Sequence, residues 1–198
     1  NGLKVIVRRK AGAPVATVQV WYRVGSWNEH VGIRGIAHLF EHMMFRGTEK
    51  FGPEEHSRLI QKVGGYDNAF TTEDMTVYHQ TLPSNHLELA FQLESDRMQS
   101  LKLDSGVLNT EREVVKEEFR QWLNNPFSLA YIEFRKRLFT GHPYAWTPLG
   151  EMEDLDRLTV QDCLDFYHSY YAPNNAVLIV GGDVSLEQVR ALAQKYFG

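Results

Sequence analysis

Hydrophobic and polar positions change period several times along the chain, and these changes predict both strands and helices. Residues 3–9 and 15–24 are rich in branched apolar side chains and are separated by a short turn, so we predict two strands that form a hairpin or are neighbours in a sheet. Residues 66–71 and 75–82 are predicted as two more strands, the second with clear alternation. Residues 176–181 form a continuous apolar run, which favours a buried strand.

Between these strands, apolar residues recur every three or four positions, which predicts helices. The predicted helices cover residues 35–45, 54–62, 86–101, 105–123, 127–139, 160–170 and the segment after residue 185. Ser84, either Asp104 or Ser105, Thr159 and Ser185 are placed to cap four of them. The order of strands and helices predicts an α+β fold, in which helices pack on one face of a mainly antiparallel sheet.

Composition narrows the functional class. The chain has 198 residues, of which 43% are hydrophobic and 23% charged, as expected for a single globular domain covering residues 1–198. Its net charge of −4 gives no indication of nucleic-acid binding. No apolar run approaches the roughly 18 residues that a membrane span requires. The single cysteine, Cys163, excludes an internal disulfide and a cysteine-based zinc cage.

The segment that carries the clearest chemistry is His38-Leu39-Phe40-Glu41-His42. Residues four apart lie on one face of a helix, so both imidazoles can point at one metal ion. Glu41 is close enough to act on the open side of that metal. Two neutral imidazoles and a nearby carboxylate are typical of a hydrolytic zinc site, and H-x-x-E-H is the inverzincin signature.

A catalytic zinc usually has three protein ligands, so a third ligand is expected elsewhere. In the helix predicted at residues 105–123, Glu111 and Glu118 differ by only about 20° around the axis. Val114, Val115 and Trp122 are predicted on the same side, so this apolar face carries two carboxylates. A buried carboxylate needs a cation or a metal as partner. The spacing does not decide between Glu111 and Glu118.

The chain resembles the N-terminal catalytic domain of the pitrilysin (insulinase) family of zinc peptidases over nearly its whole length. This family includes insulin-degrading enzyme and the mitochondrial processing peptidase. Several separate motifs carry the resemblance: Gly25-Ser26 with Glu29, Gly35 to Thr48, Gly64-Gly65 with Asn68 to Thr71, Glu111-Arg112 with Val114-Val115 and Glu118, Pro143-Tyr144, Gly150, Tyr171, Pro173-Asn174-Asn175, and Gly181 with Asp183.

The resemblance implies a metallohydrolase fold and a zinc-dependent endopeptidase that hydrolyses extended peptides with metal-activated water. It implies one zinc ion bound by His38, His42 and Glu118. It also implies two catalytic carboxylates, with Glu41 as the general base and Glu111 as a supporting residue. The substrate is expected to pair with an edge strand, and the implied substrate-binding residues are Asn68, Ala69 and Phe70.

The resemblance further implies a partner, because such domains usually work with a homologous C-terminal domain or partner chain that closes a chamber. We expect this chain to be the N-terminal part of such a chain or assembly. The processed-looking start, Asn1-Gly2-Leu3, slightly favours the bacterial periplasm over the cytoplasm. Two alternatives are a thioether lyase with the same motif, whose site uses a cysteine, and a non-catalytic scaffold or partner subunit of the same fold.

Overall fold

All 198 residues are described in a computed structural model of the chain. It contains a single five-stranded sheet, whose strands are β1 (Lys4–Arg9), β2 (Val15–Tyr22), β3 (Tyr66–Thr71), β4 (Thr76–Pro83) and β5 (Ala176–Gly182). The order across the sheet is β1-β5-β2-β4-β3. Only the β1–β5 pair is parallel. The other pairs are antiparallel, as the sequence predicts.

The chain also forms eight α-helices. They are α1 (Ile36–Met43), α2 (Glu55–Lys62), α3 (Leu87–Gln99), α4 (Ser105–Leu123), α5 (Pro126–Leu138), α6 (Met152–Arg157), α7 (Val160–Tyr170) and α8 (Leu186–Phe197). None of them carries an apolar stretch of the length needed to cross a bilayer.

The core lies between one face of the sheet and the helices. In β2, Ala16, Val18 and Val20 are fully buried, whereas Gln19 and Trp21 on the opposite face are partly exposed. Complete burial of an apolar side chain contributes about 1.5–3 kcal/mol to stability, so the face that packs against the helices stabilises the sheet. The predicted α+β arrangement, with helices on one face, is confirmed.

The predicted pairing of the first two strands is wrong. β5 lies between them, paired parallel to β1 and antiparallel to β2. Leu178 and Val180 of β5 are fully buried. Because β5 lies inside the sheet, a neighbouring strand pairs with each edge of this strongly apolar strand. A turn between two strands indicates where each strand ends, but it does not indicate which strands pair with each other.

Two helical details also differ from the prediction. Ser84 does not cap α3, because a 3₁₀ turn at Ser84–His86 precedes the helix, which starts at Leu87. The short helix α6 was not predicted, because its charged sequence buries only Asp154 and Leu155 and shows no clear apolar period. The predicted caps at Asp104, Thr159 and Ser185 are confirmed, each accepting a hydrogen bond from the first turn of its helix.

Candidate metal centre and catalytic site

Helix α1 carries the two motif histidines, and it is held at both its apolar face and its N-terminus. Ile36, Leu39 and Phe40 are fully buried, which leaves the face with the histidines directed away from the core. The buried carboxylate of Glu29 accepts hydrogen bonds from the backbone N–H of Gly35 (2.9 Å) and Ala37 (3.0 Å). These bonds satisfy two free donors at the helix start and fix its direction.

Helix α4 approaches α1 from a distant part of the sequence. Its buried face consists of Leu108, Glu111, Val115 and Phe119. The prediction that Val114 belongs to this face is wrong, since Val114 is 36% exposed. The buried residues follow one another at steps of three, four and four positions, which defines a narrow stripe along the helix. Val114 lies at the border of this stripe. The packing of α4 on α1 brings both glutamates to the histidines.

The ligand atoms of His38, His42 and Glu118 all lie within 4.8 Å of one another. Oε2 of Glu118 lies 3.7 Å from Nε2 of His38 and 3.5 Å from Nε2 of His42. In a tetrahedral zinc site with bonds of 2.0–2.1 Å, neighbouring ligand atoms are about 3.4 Å apart. This triangle of two nitrogens and one oxygen therefore fits a metal of zinc's size with little adjustment.

The protonation of the site also suits a metal. Burial, together with the charge of His42, lowers the pKa of His38 to about 4, so its imidazole is neutral and free to bind a cation. Burial opposes the charged form of His42 as well, but the surrounding glutamates outweigh it and raise its pKa. The three carboxylates that face His42 thus favour a positive charge at this point, which a divalent metal supplies.

Glu111 lies behind the imidazole of His42 rather than between the two rings. Its Oε2 is 3.4 Å from Nδ1 of His42, and its Oε1 is 2.6 Å from Nε of Arg46. Arg46 in turn lies 2.7 Å from Glu54. A carboxylate at Nδ1 fixes the tautomer that leaves Nε2 free for metal. Sequence reasoning missed Arg46, although its position one turn beyond His42 was a usable signal.

The third glutamate of the site, Glu41, points into the same cleft. Burial raises its pKa, while a hydrogen bond from Thr71 at 2.6 Å acts in the opposite direction. A buried carboxylate with a raised pKa is suited to accept a proton during a reaction. Sequence reasoning singled out Glu41 but not Thr71, because nothing in the local pattern links residues so far apart.

A cleft of about 430 Å³ lies over these groups, and Asp67 and Asn68 of β3 form part of its wall. β3 is an edge strand that pairs only with β4, so its outer edge is open. Asn68 is exposed and Ala69 is half-buried. The ring of Phe70 is 41% exposed and contacts Trp21 on the sheet face without helices, 6.2 Å between centroids.

The remaining histidines are not part of this cluster. His56, for example, is buried and bonded to Gln80 at 3.0 Å. The loop residues Trp146 and Tyr144 each form a hydrogen bond with a carboxylate of another segment. The indole of Trp146 donates to Glu29, and the Tyr144 hydroxyl donates to Asp74.

Sequence comparison relates the chain to proteases. Residues 4–142 match the family described as "Insulinase (Peptidase family M16)", and residues 157–198 match "Peptidase M16 inactive domain". All the site residues described above lie in the first segment except Tyr144 and Trp146. The zinc protease PqqE of Helicobacter pylori is 38% identical over the whole chain, which covers 45% of that protein. The mitochondrial-processing peptidase subunit beta of Lentinula edodes is 29% identical, with 42% covered.

Solved structures agree. A protease from Helicobacter pylori superimposes with a TM-score of 0.97 at 37% identity, and the chain covers 48% of it. The first half of the periplasmic protease PqqL from Escherichia coli gives a TM-score of 0.90 at 25% identity, with 44% covered. The chain spans about half the length of the curated relatives it matches. With a family match over most of its length, the chain belongs to peptidase family M16, the insulinase or pitrilysin family of zinc proteases.

Proposed function

We propose that this chain is the zinc-binding catalytic domain of an endopeptidase that hydrolyses extended peptides or unfolded polypeptide segments. The observation that carries the proposal is the placement of three ligand atoms and the Glu41 carboxylate in one cleft beside an open strand edge. Membership of a zinc protease family supports it. The unit proposed is a single peptidase domain covering residues 1–198.

The proposed site holds one zinc ion through His38, His42 and Glu118. Zinc, when bound, supplies Lewis-acid activation of water and of the peptide carbonyl. Glu41 takes a proton from the attacking water and passes it to the leaving amide nitrogen. Glu111, whose Oε2 lies 3.4 Å from Nδ1 of His42, keeps that imidazole in the orientation and tautomer that the metal requires.

The proposed substrate adds as a strand to the open edge of β3. β3 has a partner on one side only, so the segment Asn68, Ala69 and Phe70 offers alternate main-chain groups at its open edge, although the Ala69 N–H already donates to the Asn68 side chain at 2.9 Å. Main-chain pairing gives affinity without dependence on sequence, and pockets for alternate side chains give selectivity. A peptide can pair in this way only when it is extended, which favours unfolded segments over folded proteins.

We further propose that the domain works with a second, homologous half or partner chain that closes a chamber around the substrate. Two observations support this proposal. One similar structure is that of the first half of a protease, and the curated relatives are about twice as long as this chain. The periplasm is the proposed compartment, since PqqL is a periplasmic protease. Each of these points concerns the whole protein and is open to direct test.

The lyase alternative is disfavoured by the only cysteine. Cys163 is buried on α7, and burial raises the pKa of its thiol to about 12, so it is a poor candidate for a thiolate ligand. The scaffold alternative predicts a folded domain with neither zinc nor hydrolysis.

Replacing single residues in the full-length protein separates these functions. We expect Glu41→Gln to retain zinc and to lose turnover of a quenched fluorescent peptide by at least about 100-fold, because the base is lost and the ligands are kept. His38→Ala and Glu118→Ala are expected to reduce zinc stoichiometry, measured by elemental analysis. The matched control is Glu117→Ala, which removes an exposed carboxylate from the same helix.

Full hydrolysis by Glu41→Gln would reject the assigned base. Unchanged zinc content in both ligand variants would reject the metal site. A wild-type protein that folds, binds no zinc and cleaves nothing would favour the scaffold function.

A further inference from the structure

The last residue of the edge strand makes a direct contact with the proposed general base. Thr71 ends β3 opposite Thr76 of β4, and its side chain is half-buried on the side that faces α1. Its hydroxyl donates a hydrogen bond of 2.6 Å to Oε2 of Glu41. Lengths of 2.5–2.7 Å are typical of bonds from a hydroxyl to a charged carboxylate.

Because of this contact, the two carboxylate oxygens of Glu41 have different surroundings. Oε2 of Glu41 accepts the hydrogen bond from Thr71, whereas no side chain or backbone group donates to Oε1. Glutamate has three rotatable side-chain bonds, so without an anchor its carboxylate samples several positions. A general base is effective only within hydrogen-bonding reach of the proton it removes.

We propose that Thr71 is a positioning residue that holds Glu41 for proton transfer and links it to the strand that receives the substrate. The inference rests on the proposed function, in which Glu41 is the base and β3 the docking edge. Thr71 directly follows Phe70, so the docking segment and the anchor of the base belong to one short strand. The hydrogen bond of Thr71 therefore connects the docking strand directly to the carboxylate of Glu41.

The test compares Thr71→Val, which keeps the shape but removes the hydroxyl, with Thr71→Ser, which keeps the hydroxyl. In the full-length zinc-loaded protein we expect Thr71→Val to lower kcat by about 10-fold or more at nearly unchanged KM. Thr71→Ser should restore kcat to within about 3-fold of wild type. Thr81→Val is the control, because it removes a hydroxyl from the neighbouring strand, where Thr81 pairs with Thr17.

Three further measurements do not depend on turnover by the wild-type base. Zinc stoichiometry should be the same in Thr71→Val and wild type. The dissociation constant of the same peptide, measured by fluorescence anisotropy on a Glu41→Gln background, should not change when Thr71→Val is added. On that background Thr71→Val should also cause no further loss of residual kcat, because its effect acts through Glu41.

The outcomes distinguish failure of the positioning role of Thr71 from failure of the proposed function. If Glu41→Gln is impaired but Thr71→Val has wild-type kcat, the positioning role is rejected and the proposed function stands. If Glu41→Gln is fully active, the role of Glu41 as base, on which this inference rests, is rejected. A folded wild-type protein that binds no zinc and cleaves nothing would reject the proposed function. Equal losses in Thr71→Val and Thr71→Ser, or a rise in KM at unchanged kcat, would also reject the positioning role. If Thr71→Val does not fold, Thr71→Ala takes its place in the same comparison.

Discussion

Glu111 and Glu118 are identical side chains two turns apart on α4, yet their surroundings give them different chemistry. The side chain of Glu111 is 1% exposed, whereas that of Glu118 is 42% exposed and faces both Nε2 atoms. Burial opposes the charge on Glu111, but His42 and Arg46 outweigh it and lower its pKa. Glu111 therefore stays charged at neutral pH and can accept a hydrogen bond from Nδ1 of His42.

At this scale we predict that Arg46 supports metal binding indirectly. Arg46→Met should weaken zinc affinity by about 10-fold, because Glu111 loses its cationic partner and holds His42 less firmly. Arg46→Lys, which keeps the charge, should lose less. Competition with a chromogenic chelator measures the affinity. Arg58→Met is the control, since it removes an exposed arginine that pairs only with Glu55 on α2. Unchanged affinity in Arg46→Met would contradict the prediction.

Helix α1 depends on contacts at its N-terminus as much as on its own short sequence. Eight residues form too few internal hydrogen bonds for an independent helix, so tertiary contacts must hold it. Glu29 bonds its first amides, and Asp154 of α6 accepts from the backbone N–H of Gly32 and Arg34. At Gly150, a Cβ atom would lie 2.4 Å from Gly35 Cα, so the chain passes too close for any side chain.

The Glu29 contact predicts a pH-dependent stability. Burial raises the pKa of Glu29 to about 7, against the bonds from Gly35, Ala37 and Trp146 that act to lower it. A carboxyl with a raised pKa in the folded state stabilises the fold below its unfolded pKa of 4.5, and this contribution is lost as pH rises through about 7. The loss in free energy of unfolding should reach about 3 kcal/mol by pH 8.

Denaturant unfolding of wild type and Glu29→Gln between pH 4 and pH 8 measures this effect. The variant should show a smaller loss of stability over that range, because glutamine does not titrate. Glu133→Gln, at an exposed position on α5, serves as the control and should follow wild type. Parallel curves for wild type and Glu29→Gln would refute the assignment.

Over the whole molecule, the one-sided core contains a buried polar network that ties the helices to the sheet. His56 of α2 bonds to Gln80 of β4, and Gln80 donates to Glu94 of α3 at 2.8 Å. Arg97 pairs with Glu94 at 2.5 Å, and its guanidinium lies 4.3 Å from the ring centroid of Tyr78. All of these side chains are buried, so each relies on its partner in place of water.

Breaking this network should destabilise the entire domain. We expect Arg97→Met to lower the free energy of unfolding by about 3–5 kcal/mol, since Glu94 is left buried without its cation. The double variant Arg97→Met/Glu94→Met should recover part of the loss, because no unpaired charge remains. Urea unfolding measures both. Lys102→Met, at an exposed site, is the control and should change stability little. A single variant as stable as wild type would disprove the role given to the pair.

Features that depend on neighbouring residues could be predicted from the sequence. The spacing of His38 and His42 places both on one helix face because the α-helical period is local. The caps at Asp104 and Thr159 depend on a bond within three residues. The family motifs could likewise be recognised in the sequence, and they led to the correct fold class. The face of α4 was predicted only partly, because Val114 lies at the border of the buried stripe.

The amino-acid sequence thus determined most of the elements, the fold class and the family, together with the residues able to perform the chemistry. Only the tertiary structure decided that β5 separates β1 from β2, that Glu118 rather than Glu111 faces both Nε2 atoms, and that Arg46 and Thr71 contact the site glutamates. The reason is physical. Contacts between distant segments depend on how whole elements pack, and no local period in the chain records that packing.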